Sequence, residues 1–553
     1  MKKVSRRNFL KAVGITAAAA AVAGALTGCG STSSGSTASG SAGASSAGAS
    51  GAAADVVNIG STGTLSSINP LLMDATIMMQ YACMLQFCPL VALDENAEFS
   101  YVLADSIETE DNLTYTVHIN DAAVWSDGTP VTADDVKFTI TRLASNVIAN
   151  PNMMLTALMG TDDNTGYLPE GVTELEGVQV VDEKTCTITF KYEMNRVSVL
   201  NGYAQYIHVL PAHVLADVPE ADLAGYDWFK APTVVDGPYI CTDLDNDHYV
   251  SYKANEAYWK GAPQIPYLNI KVVESAQLLS GLQSGEIDYV PPLLGTFNLD
   301  DYNTVLALEN VNADYGQAYS VESLFLNCKN IPLEIRQAML CGLDRQTIID
   351  GLLSGAGEQC DGFAVPEGPY WKGLEPTAFD AARATELVAQ ATANGWDPTT
   401  TYEMYLNSGE ETLINAATIV QSFWQAVGIQ VNVNPVDLGT LMTMAEGGEG
   451  DIYGVQYTYP PVDPSWDIQW VLGSWCFYDN DIIQSNLNTM WNTNDSEAYA
   501  EALYAIDQDV QANVPLIDVY VNGTLGAVAK RLSGAKVSTY GCLNAVETWT
   551  LNA

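Results

Sequence analysis

Positively charged residues are scarce in this chain, which has 22 Lys and Arg against 66 Asp and Glu among its 553 residues. The formal net charge of −44 gives a surface that repels phosphates and anionic lipid headgroups over a Debye length of about 10 Å. We therefore expect no nucleic-acid partner. We interpret the acidity as a solvated surface suited to solubility, with cation binding as the alternative.

Histidine is also scarce, and the motifs of several enzyme classes are missing. The four histidines are His118, His208, His213 and His248, and they lie singly except for His208 and His213. The sequence contains no G-x-S-x-G, no H-E-x-x-H and no Gly-Lys-Ser phosphate loop. We therefore expect no catalytic nucleophile, no metal and no cofactor. Carboxylate pairs are common in so acidic a chain, so a glycosidase that uses such a pair remains an alternative.

Cysteine pairs with the C-x-x-C spacing are absent, which leaves the common zinc and redox motifs unsupported. Nine cysteines follow Cys29, an odd number scattered along the chain. Their apolar neighbours favour a role as small buried hydrophobes. Cys83 and Cys88 are close enough in sequence to pair, but the helix predicted over Met73–Phe87 is unfavourable for disulfide geometry.

The first 29 residues have an apolar run too short to span a bilayer comfortably, and instead show the features of an export signal. Ser5–Lys11 matches the twin-arginine motif, and a short apolar run follows over Ala12–Ala25. Leu26–Cys29 resembles a bacterial lipobox, which implies that the thiol of Cys29 receives a diacylglycerol and becomes the mature N-terminus. A chance cysteine after an ordinary cleavage site is the alternative.

Residues 30–54 are almost wholly Ser, Gly, Ala and Thr, a composition that cannot bury enough surface to fold. A flexible chain of this length averages roughly 25–30 Å from end to end. We predict a linker that holds the folded part clear of the lipid. The remaining chain is long enough, and apolar enough, to divide into more than one domain.

The stretch Trp125–Arg142 combines a turn with a helix start. Asp127–Pro130 is rich in turn formers, and Thr132 precedes two acids that favour the positive end of a helix. Val136, Ile140 and Leu143 recur at spacings of four and three, which indicates one apolar stripe. The pattern predicts a capped helix that begins near Ala133, after a half-buried strand at Tyr115–Ile119.

Several further blocks occur in a fixed order along the chain. They include Asn255–Gly261 (N-E-A-Y-W-K-G), Ser284–Asp288 (S-G-E-I-D) at the end of a predicted helix, and Leu324–Asn327 followed by Ile335–Arg345. Together with Trp125–Arg142, this set resembles the extracytoplasmic solute-binding proteins of the peptide and nickel ABC importers, family 5, of the oligopeptide- and dipeptide-binding type. The matches extend from about residue 56 to residue 517.

Strands alternate with helices in the second half of the chain, which predicts α/β layers. The resemblance implies a two-lobed periplasmic-binding-protein-like fold with mixed sheets, a hinge of two crossing strands near Asn312–Tyr315 and Ile517–Tyr520, and a small domain inserted in the first lobe. The implied boundaries are 55–92, 178–311 and 518–553 for lobe I, 93–177 for the inserted domain, and 312–517 for lobe II.

A loop rich in aromatic residues and proline follows the strand predicted at Ile452–Val455, and such a loop suits a cleft for a partly apolar solute. Aromatic residues that fill a core beneath the turn are the alternative. The ligand-binding residues that the loop and the resemblance imply are Thr64, Leu65, Tyr315, Tyr319, Ser320, Tyr457, Thr458, Tyr459, Asp463 and Trp466. The acid that grips the ligand amine in peptide-binding members falls on Pro460, and a base of some members falls on Gly454.

The resemblance implies a lipoprotein on the outer face of the cytoplasmic membrane that captures a small solute, most simply a peptide-like one, and delivers it to ABC permease subunits. We expect a monomer that acts by binding and not as an enzyme. The main alternative is an exported hydrolase with a carboxylate pair. A receptor that reports ligand occupancy to a sensor is a third. The class of the ligand stays open, because Pro460 replaces the amine-gripping acid.

Overall fold

A computed structural model describes residues 55–552 apart from residues 75, 153, 154 and 354. The predicted export signal of residues 1–29, its Cys29 and the predicted linker of residues 30–54 lie outside the described residues. Within the described ranges, no helix combines the length and the hydropathy that a membrane crossing demands.

The strands alternate with helices along most of the described chain. The strands are β1 (Val56–Ser61), β2 (Val91–Leu93), β3 (Phe99–Tyr101), β4 (Ala104–Glu108), β5 (Thr114–Ile119), β6 (Val178–Val180), β7 (Thr185–Thr189), β8 (Tyr239–Asp245), β9 (Tyr249–Ala254), β10 (Tyr267–Val272), β11 (Tyr289–Val290), β12 (Val311–Tyr315), β13 (Ser320–Leu326), β14 (Gly357–Glu358), β15 (Thr401–Asn407), β16 (Gln430–Val436), β17 (Ile452–Thr458), β18 (Leu516–Asn522), β19 (Leu525–Ala529), β20 (Leu532–Ser533) and β21 (Thr550–Leu551).

Helices cover both main sheets. They are α1 (Ile77–Met84), α2 (Ala133–Leu143), α3 (Arg196–Gly202), α4 (Ala212–Leu215), α5 (Glu220–Leu223), α6 (Ser275–Ser284), α7 (Tyr302–Leu306), α8 (Leu333–Cys341), α9 (Arg345–Leu352), α10 (Ala381–Ala393), α11 (Glu411–Ala426), α12 (Leu438–Gly447), α13 (Ser465–Trp470), α14 (Asp481–Asn492) and α15 (Ser496–Asn513).

The sheet of lobe I contains seven of the described strands in the order β12-β19-β11-β1-β10-β9-β8. β1 runs parallel to β10 and β11, and the remaining neighbours are antiparallel. Val57 and Ile59 of β1 are fully buried in one apolar cluster, while Leu278 and Leu282 of α6 are buried in another with Val290. Both faces of the sheet are therefore covered, as parallel strands require.

A separate sheet of four described strands has the order β4-β5-β7-β6. Its β7 pairs with β5 from Thr114↔Thr189 to His118↔Thr185. The predicted boundary of the inserted domain at residue 177 therefore separates β6 and β7 from the sheet to which they are hydrogen-bonded. The hairpin at 178–189 belongs to this small sheet and not to the sheet of lobe I, because its partner strand lies about 70 residues earlier in the chain, which short-range patterns do not reveal.

The sheet of lobe II contains six of the described strands in the order β14-β18-β13-β17-β15-β16. β15 is parallel to β16 and β17, and β13 is antiparallel to β17 and β18. Leu324 and Leu326 of β13 pack into a core with α8 to α11, whereas Val321 and Phe325 pack into a core with α12 to α15. The period-two alternation of a strand thus divides this lobe into two cores.

The chain passes between the two main sheets at residues 316–319 and again at residues 523–524. The amide of Gly316 donates a hydrogen bond of 2.9 Å to the carbonyl of Thr524. A Cβ added at Gly523 would lie 2.3 Å from the carbonyl oxygen of Gly316, so only glycine permits this approach. Both crossings lie C-terminal to the predicted ones, because Asn312–Tyr315 and Ile517–Tyr520 still pair inside the sheets.

Local predictions agree well with the structure. Helix α2 begins at Ala133, as predicted, and the carboxylate of Asp135 accepts the Thr132 amide at 2.8 Å. Gly285 ends α6 with φ of 75°, the left-handed stop expected there. The helix predicted over Met73–Phe87 is shorter than expected and covers Ile77–Met84.

The nine described cysteines are unpaired. Cys83 and Cys88 are 0% and 1% exposed, and only Cys328 is half-buried. Burial raises the pKa of Cys83, which keeps its thiol protonated at neutral pH. These cysteines therefore act as small buried hydrophobes, as predicted.

Candidate functional site

The carboxyl ends of the parallel strands in both lobes lie beside the chain crossings. In α/β sheets this end of the strands is where ligands bind. In lobe I, the chain after β11 reaches Pro292, whose ring packs against Gly316 of the first crossing. In lobe II, Ser320 follows the same crossing and pairs with Thr458, the last residue of β17. The crossing therefore joins the two edges at which a solute would meet the protein.

Two of the predicted ligand-binding residues come together at this position. The hydroxyl oxygens of Ser320 and Thr458 are 3.1 Å apart, and both residues are half-buried. Tyr315 is half-buried at the end of β12, where its ring centre lies 5.9 Å from that of Tyr302. These side chains remain predicted ligand contacts.

The lobe I members of the predicted set occupy the loop after β1. Thr64 is exposed, and Leu65 is 2% exposed with its amide bonded to the carbonyl of Asn246 at 3.3 Å. Tyr319 is 2% exposed, and its ring centre lies 5.3 Å from that of Tyr540 of lobe I. Tyr319 therefore packs between the lobes, whatever further contact it makes with a solute.

Tyr457 and Tyr459 point to the opposite face of the lobe II sheet from Thr458. Their ring centres are 4.7 Å apart, and the ring of Tyr459 lies 5.0 Å from that of Phe363. The hydroxyl of Tyr457 donates a hydrogen bond to Asp467 in α13. Both rings belong to the core beneath α13, so their placement agrees with the alternative of aromatic residues that fill a core.

Trp466 is half-buried, and its ring centre lies 5.2 Å from that of Trp491 in α14. Gly454, where some members of the resembling family carry a base, has no room for a side chain. A Cβ built there would lie 2.3 Å from a methyl of Leu406. Close packing in lobe II therefore accounts for the absence of a basic side chain at position 454.

Asp463 links the two lobes. It is 4% exposed, and one of its oxygens accepts the hydroxyl of Ser198 in α3 of lobe I at 2.5 Å. The other oxygen accepts the hydroxyls of Ser465 at 2.6 Å and Tyr499 at 2.7 Å, both in lobe II. A buried carboxylate with three hydroxyl donors is well satisfied only when the lobes are together.

The start of α3 makes further contacts between the lobes. The side-chain amide of Asn195 donates to the carbonyl of Met490, and the backbone amide of Arg196 donates to Asn494 at 2.7 Å. Asn195 also caps α3 by accepting the amide of Ser198 at 2.7 Å. Our sequence interpretation missed these residues. The only signal was an N-cap pattern, which marks a helix start but not its partner.

Several buried acids have strongly raised pKa values because burial disfavours their charged form. Burial raises the pKa of Asp467 to about 7, and the pKa of Asp507 and Asp518 likewise to about 7. Burial and the neighbouring Glu410 raise the pKa of Glu322 to about 8. In the described part of the chain, no group of three or more His, Cys, Asp or Glu is arranged to hold a metal ion.

Comparison with known proteins gives a consistent set of similarities. Residues 98–479 match the family model of bacterial extracellular solute-binding proteins, family 5. The chain is 24% identical over 502 residues to the oligopeptide-binding protein AppA of Bacillus subtilis, covering 84% of this chain and 85% of that protein. It is 24% identical over 470 residues to the glutathione-binding protein GsiB of Salmonella typhi, covering 80% of this chain and 85% of that protein.

Solved structures share the fold. AppA of Bacillus subtilis in complex with a nonapeptide has a TM-score of 0.64 at 22% identity, covering 90% of this chain and 99% of that one. The murein tripeptide-binding protein MppA in its unliganded open form has a TM-score of 0.76 at 17% identity, covering 90% and 97%. NikA of Brucella suis with Fe(III)-EDTA has a TM-score of 0.72 at 18% identity, covering 90% and 100%.

Ser198→Ala should favour separation of the lobes, because it removes the one hydroxyl that lobe I supplies to Asp463. A hydrogen bond to a charged group contributes about 1.5–3 kcal/mol. We expect a larger radius of gyration in small-angle X-ray scattering of the solute-free variant. Ser465→Ala is the matched control, because Ser465 donates to the same carboxylate from within lobe II. Equal expansion in both variants would contradict a link between the lobes.

The free energy of unfolding should fall as the pH rises from about 5 to about 8. The four buried acids described above keep a proton in the folded protein that they lose on unfolding, so each contributes about 1.4 kcal/mol per pH unit below its folded pKa. His208, whose pKa burial lowers to about 4, opposes the trend only below its unfolded value. Chemical denaturation across this range tests the slope.

Asp467→Asn should make the free energy of unfolding less dependent on pH by the contribution of about one proton, since the amide does not titrate. Asp397→Asn is the control. Its carboxylate is exposed, and hydrogen bonds from Thr399 lower its pKa, so it titrates below this range. A slope in Asp467→Asn identical to that of the unmodified protein would contradict the assignment of a buried, protonated Asp467.

Proposed function

Because the chain belongs to family 5 of the bacterial extracellular solute-binding proteins, we propose that it captures a short peptide or a peptide-like solute in the cleft beside its chain crossings. The predicted function as the solute-binding protein of an ABC importer is confirmed, and so is the predicted two-lobed α/β fold. The class of the solute, a peptide or a peptide-like molecule, remains a proposal, and the residues beside the crossings support it.

The position of the crossings carries this proposal. The chain just after β11 in lobe I and the carboxyl end of β17 in lobe II lie beside residues 316–319, and the hydroxyl oxygens of Ser320 and Thr458 are 3.1 Å apart there. Hydroxyl groups both donate and accept hydrogen bonds, which suits the amides and carbonyls of a peptide backbone. The names of AppA and GsiB, an oligopeptide- and a glutathione-binding protein, support a peptide-like solute for this chain as well.

The hydrolase alternative receives no support. The family consists of solute-binding transport proteins, and AppA and GsiB are named for the solutes they bind. The buried acids of lobe II already accept hydrogen bonds from the protein. Asp463 accepts three hydroxyls, and Asp507 accepts the amides of Phe363 and Ala364. We propose a binding role without catalysis.

We propose that the protein acts as a monomer, attached to the outer face of the cytoplasmic membrane through a lipid on Cys29. The sequence supports this arrangement: a twin-arginine motif at Arg6 and Arg7, an apolar run, and a lipobox-like Leu26–Cys29 occur in the required order. The linker of residues 30–54 then allows the folded part to reach permease subunits.

Differential scanning fluorimetry with defined peptide mixtures tests the solute class. A peptide at a hundredfold excess over its Kd should stabilise the protein by about 2.7 kcal/mol. We expect stabilisation without any change in the peptides, as checked by mass spectrometry. Release of shorter products would favour the hydrolase, and stabilisation by sugars or metal chelates alone would contradict a peptide-like solute.

Cys29→Ser should abolish membrane attachment, because only the Cys29 thiol can carry the diacylglycerol that the lipobox implies. In cells that express the full chain, we expect the variant in the soluble fraction and the unmodified protein in the membrane fraction. Cys328→Ser is the control, since Cys328 is a half-buried, unpaired cysteine of the folded part. Membrane attachment that persists in Cys29→Ser would contradict the lipid anchor.

A further inference from the structure

Glu322 is a buried acid on the face of the lobe II sheet that Ser320 and Thr458 share. It is the third residue of strand β13, it is the one charged residue of that strand, and it is 3% exposed. One carboxyl oxygen accepts the side-chain amide of Gln456 at 3.1 Å. The other oxygen is buried without any hydrogen-bond partner in the part of the chain that the structure describes. Such a group costs free energy unless something pairs with it.

Two further acceptors on the same face share this condition. Tyr520 lies directly opposite Glu322 across β13 and β18, and Asn522 lies opposite Ser320, two residues along. Among the described residues, neither the hydroxyl of Tyr520 nor the side-chain oxygen of Asn522 has a hydrogen-bond partner. Burial, and after it the charges of Glu322 and Glu410, raise the pKa of Tyr520. Three unpaired acceptors thus lie along one face.

The surroundings provide negative charge and no compensating base. Glu410 uses both of its oxygens, which accept the side-chain amide of Asn407 at 2.7 Å and the backbone amide of Gln456 at 2.7 Å. Among the described residues, no lysine, arginine or histidine forms an ion pair with Glu322 or Glu410. A cation from outside the protein would therefore find an uncompensated carboxyl.

The geometry points to a subsite in which Glu322, Tyr520 and Asn522 bind a primary ammonium group of the solute. An ammonium has three N–H donors and no acceptor, which matches three unpaired acceptors. When the ammonium binds, Glu322 releases its proton to the solvent, the ammonium charge compensates the carboxylate that forms, and hydrogen bonds between charged groups are the stronger ones. A metal ion fits less well, because in the described part of the chain no group of three or more His, Cys, Asp or Glu is arranged to hold one.

The acceptors of this subsite are buried, but residues around them are exposed or half-buried. Gln456, whose amide reaches Glu322, is exposed, and Ser320, Thr458 and Asn522 are half-buried at the ends of their strands. Asn522 is followed directly by the second crossing. A solute that lies along the crossings could therefore place an amine on Glu322 while the rest of it remains between the lobes. The inference rests on the proposed function in that the ammonium is taken to belong to the captured solute.

The direct test uses n-pentylammonium and its neutral counterpart n-pentanol, with binding measured by isothermal titration calorimetry and by thermal shift. We expect the ammonium, at concentrations up to the order of 100 mM, to stabilise the unmodified protein and the alcohol to have no comparable effect. Glu322→Gln should weaken ammonium binding at least about tenfold, and Tyr520→Phe should weaken it by a smaller factor.

Asp518→Asn is the matched control. Asp518 is a buried acid of the same strand β18, but its oxygens are satisfied by Ser323 at 2.6 Å and by the amide of Gly362 at 3.2 Å. The Asp518→Asn variant should bind the ammonium with the same affinity as the unmodified protein. Glu322→Gln should fold well, because it replaces a buried carboxyl by an amide of the same shape; thermal unfolding without probe checks this.

The same variants are then compared with tripeptides that carry a free or an acetylated N-terminus. The subsite is supported if the unmodified protein prefers the peptide with the free amine and the Glu322→Gln variant loses this preference. Equal affinity of Glu322→Gln and the unmodified protein for amines, or no amine binding at all, overturns it. Binding of acetylated peptides alone overturns the subsite but leaves the proposed solute class intact. Glu322-dependent binding of pentylammonium without any peptide binding keeps the subsite and contradicts the solute class.

Discussion

The close approach of the two chain crossings is the constraint on which the arrangement of this protein depends. Gly316 donates its amide to Thr524, and Gly523 has no Cβ that would strike the Gly316 carbonyl. Because both crossings are only a few residues long, the carboxyl ends of the parallel strands in the two lobes are held beside each other. Rotation about the crossings would separate Asp463 from Ser198 but leave both main sheets intact, and hinge closure on a ligand is a common motion of two-lobed proteins.

Strand alternation in lobe II separates two groups of polar residues. On one face, Tyr457 and Asp467 are joined in a core, and Asp463 extends to Ser198 of the other lobe. On the other face, Glu322 lies with unpaired acceptors near the cleft. The first group is internally satisfied and serves folding and closure. The second is unsatisfied, and an unsatisfied buried acid is costly enough to indicate a ligand.

Local features of the fold were predictable because a few neighbouring residues determine them. The capped start of α2 at Ala133 and the left-handed stop at Gly285 follow from side-chain hydrogen bonding and from the freedom of glycine at positive φ. The pairing between distant segments was not predictable in this way. The hairpin at 178–189 joins the small sheet, and the crossings fall at glycines beyond the predicted segments, since strand partners depend on long-range contacts.

The fold class, the family and the acidic, exported character of this protein could be predicted from its residues alone, because they follow from motif order, periodicity and composition. The faces that the site residues occupy became known only from the folded sheets. A one-residue step along a strand reverses the direction of a side chain, so Thr458 contacts Ser320 on one face while Tyr457 enters a core on the other. The role of Glu322 likewise depends on Tyr520, about 200 residues later in sequence and opposite it only in the folded sheet.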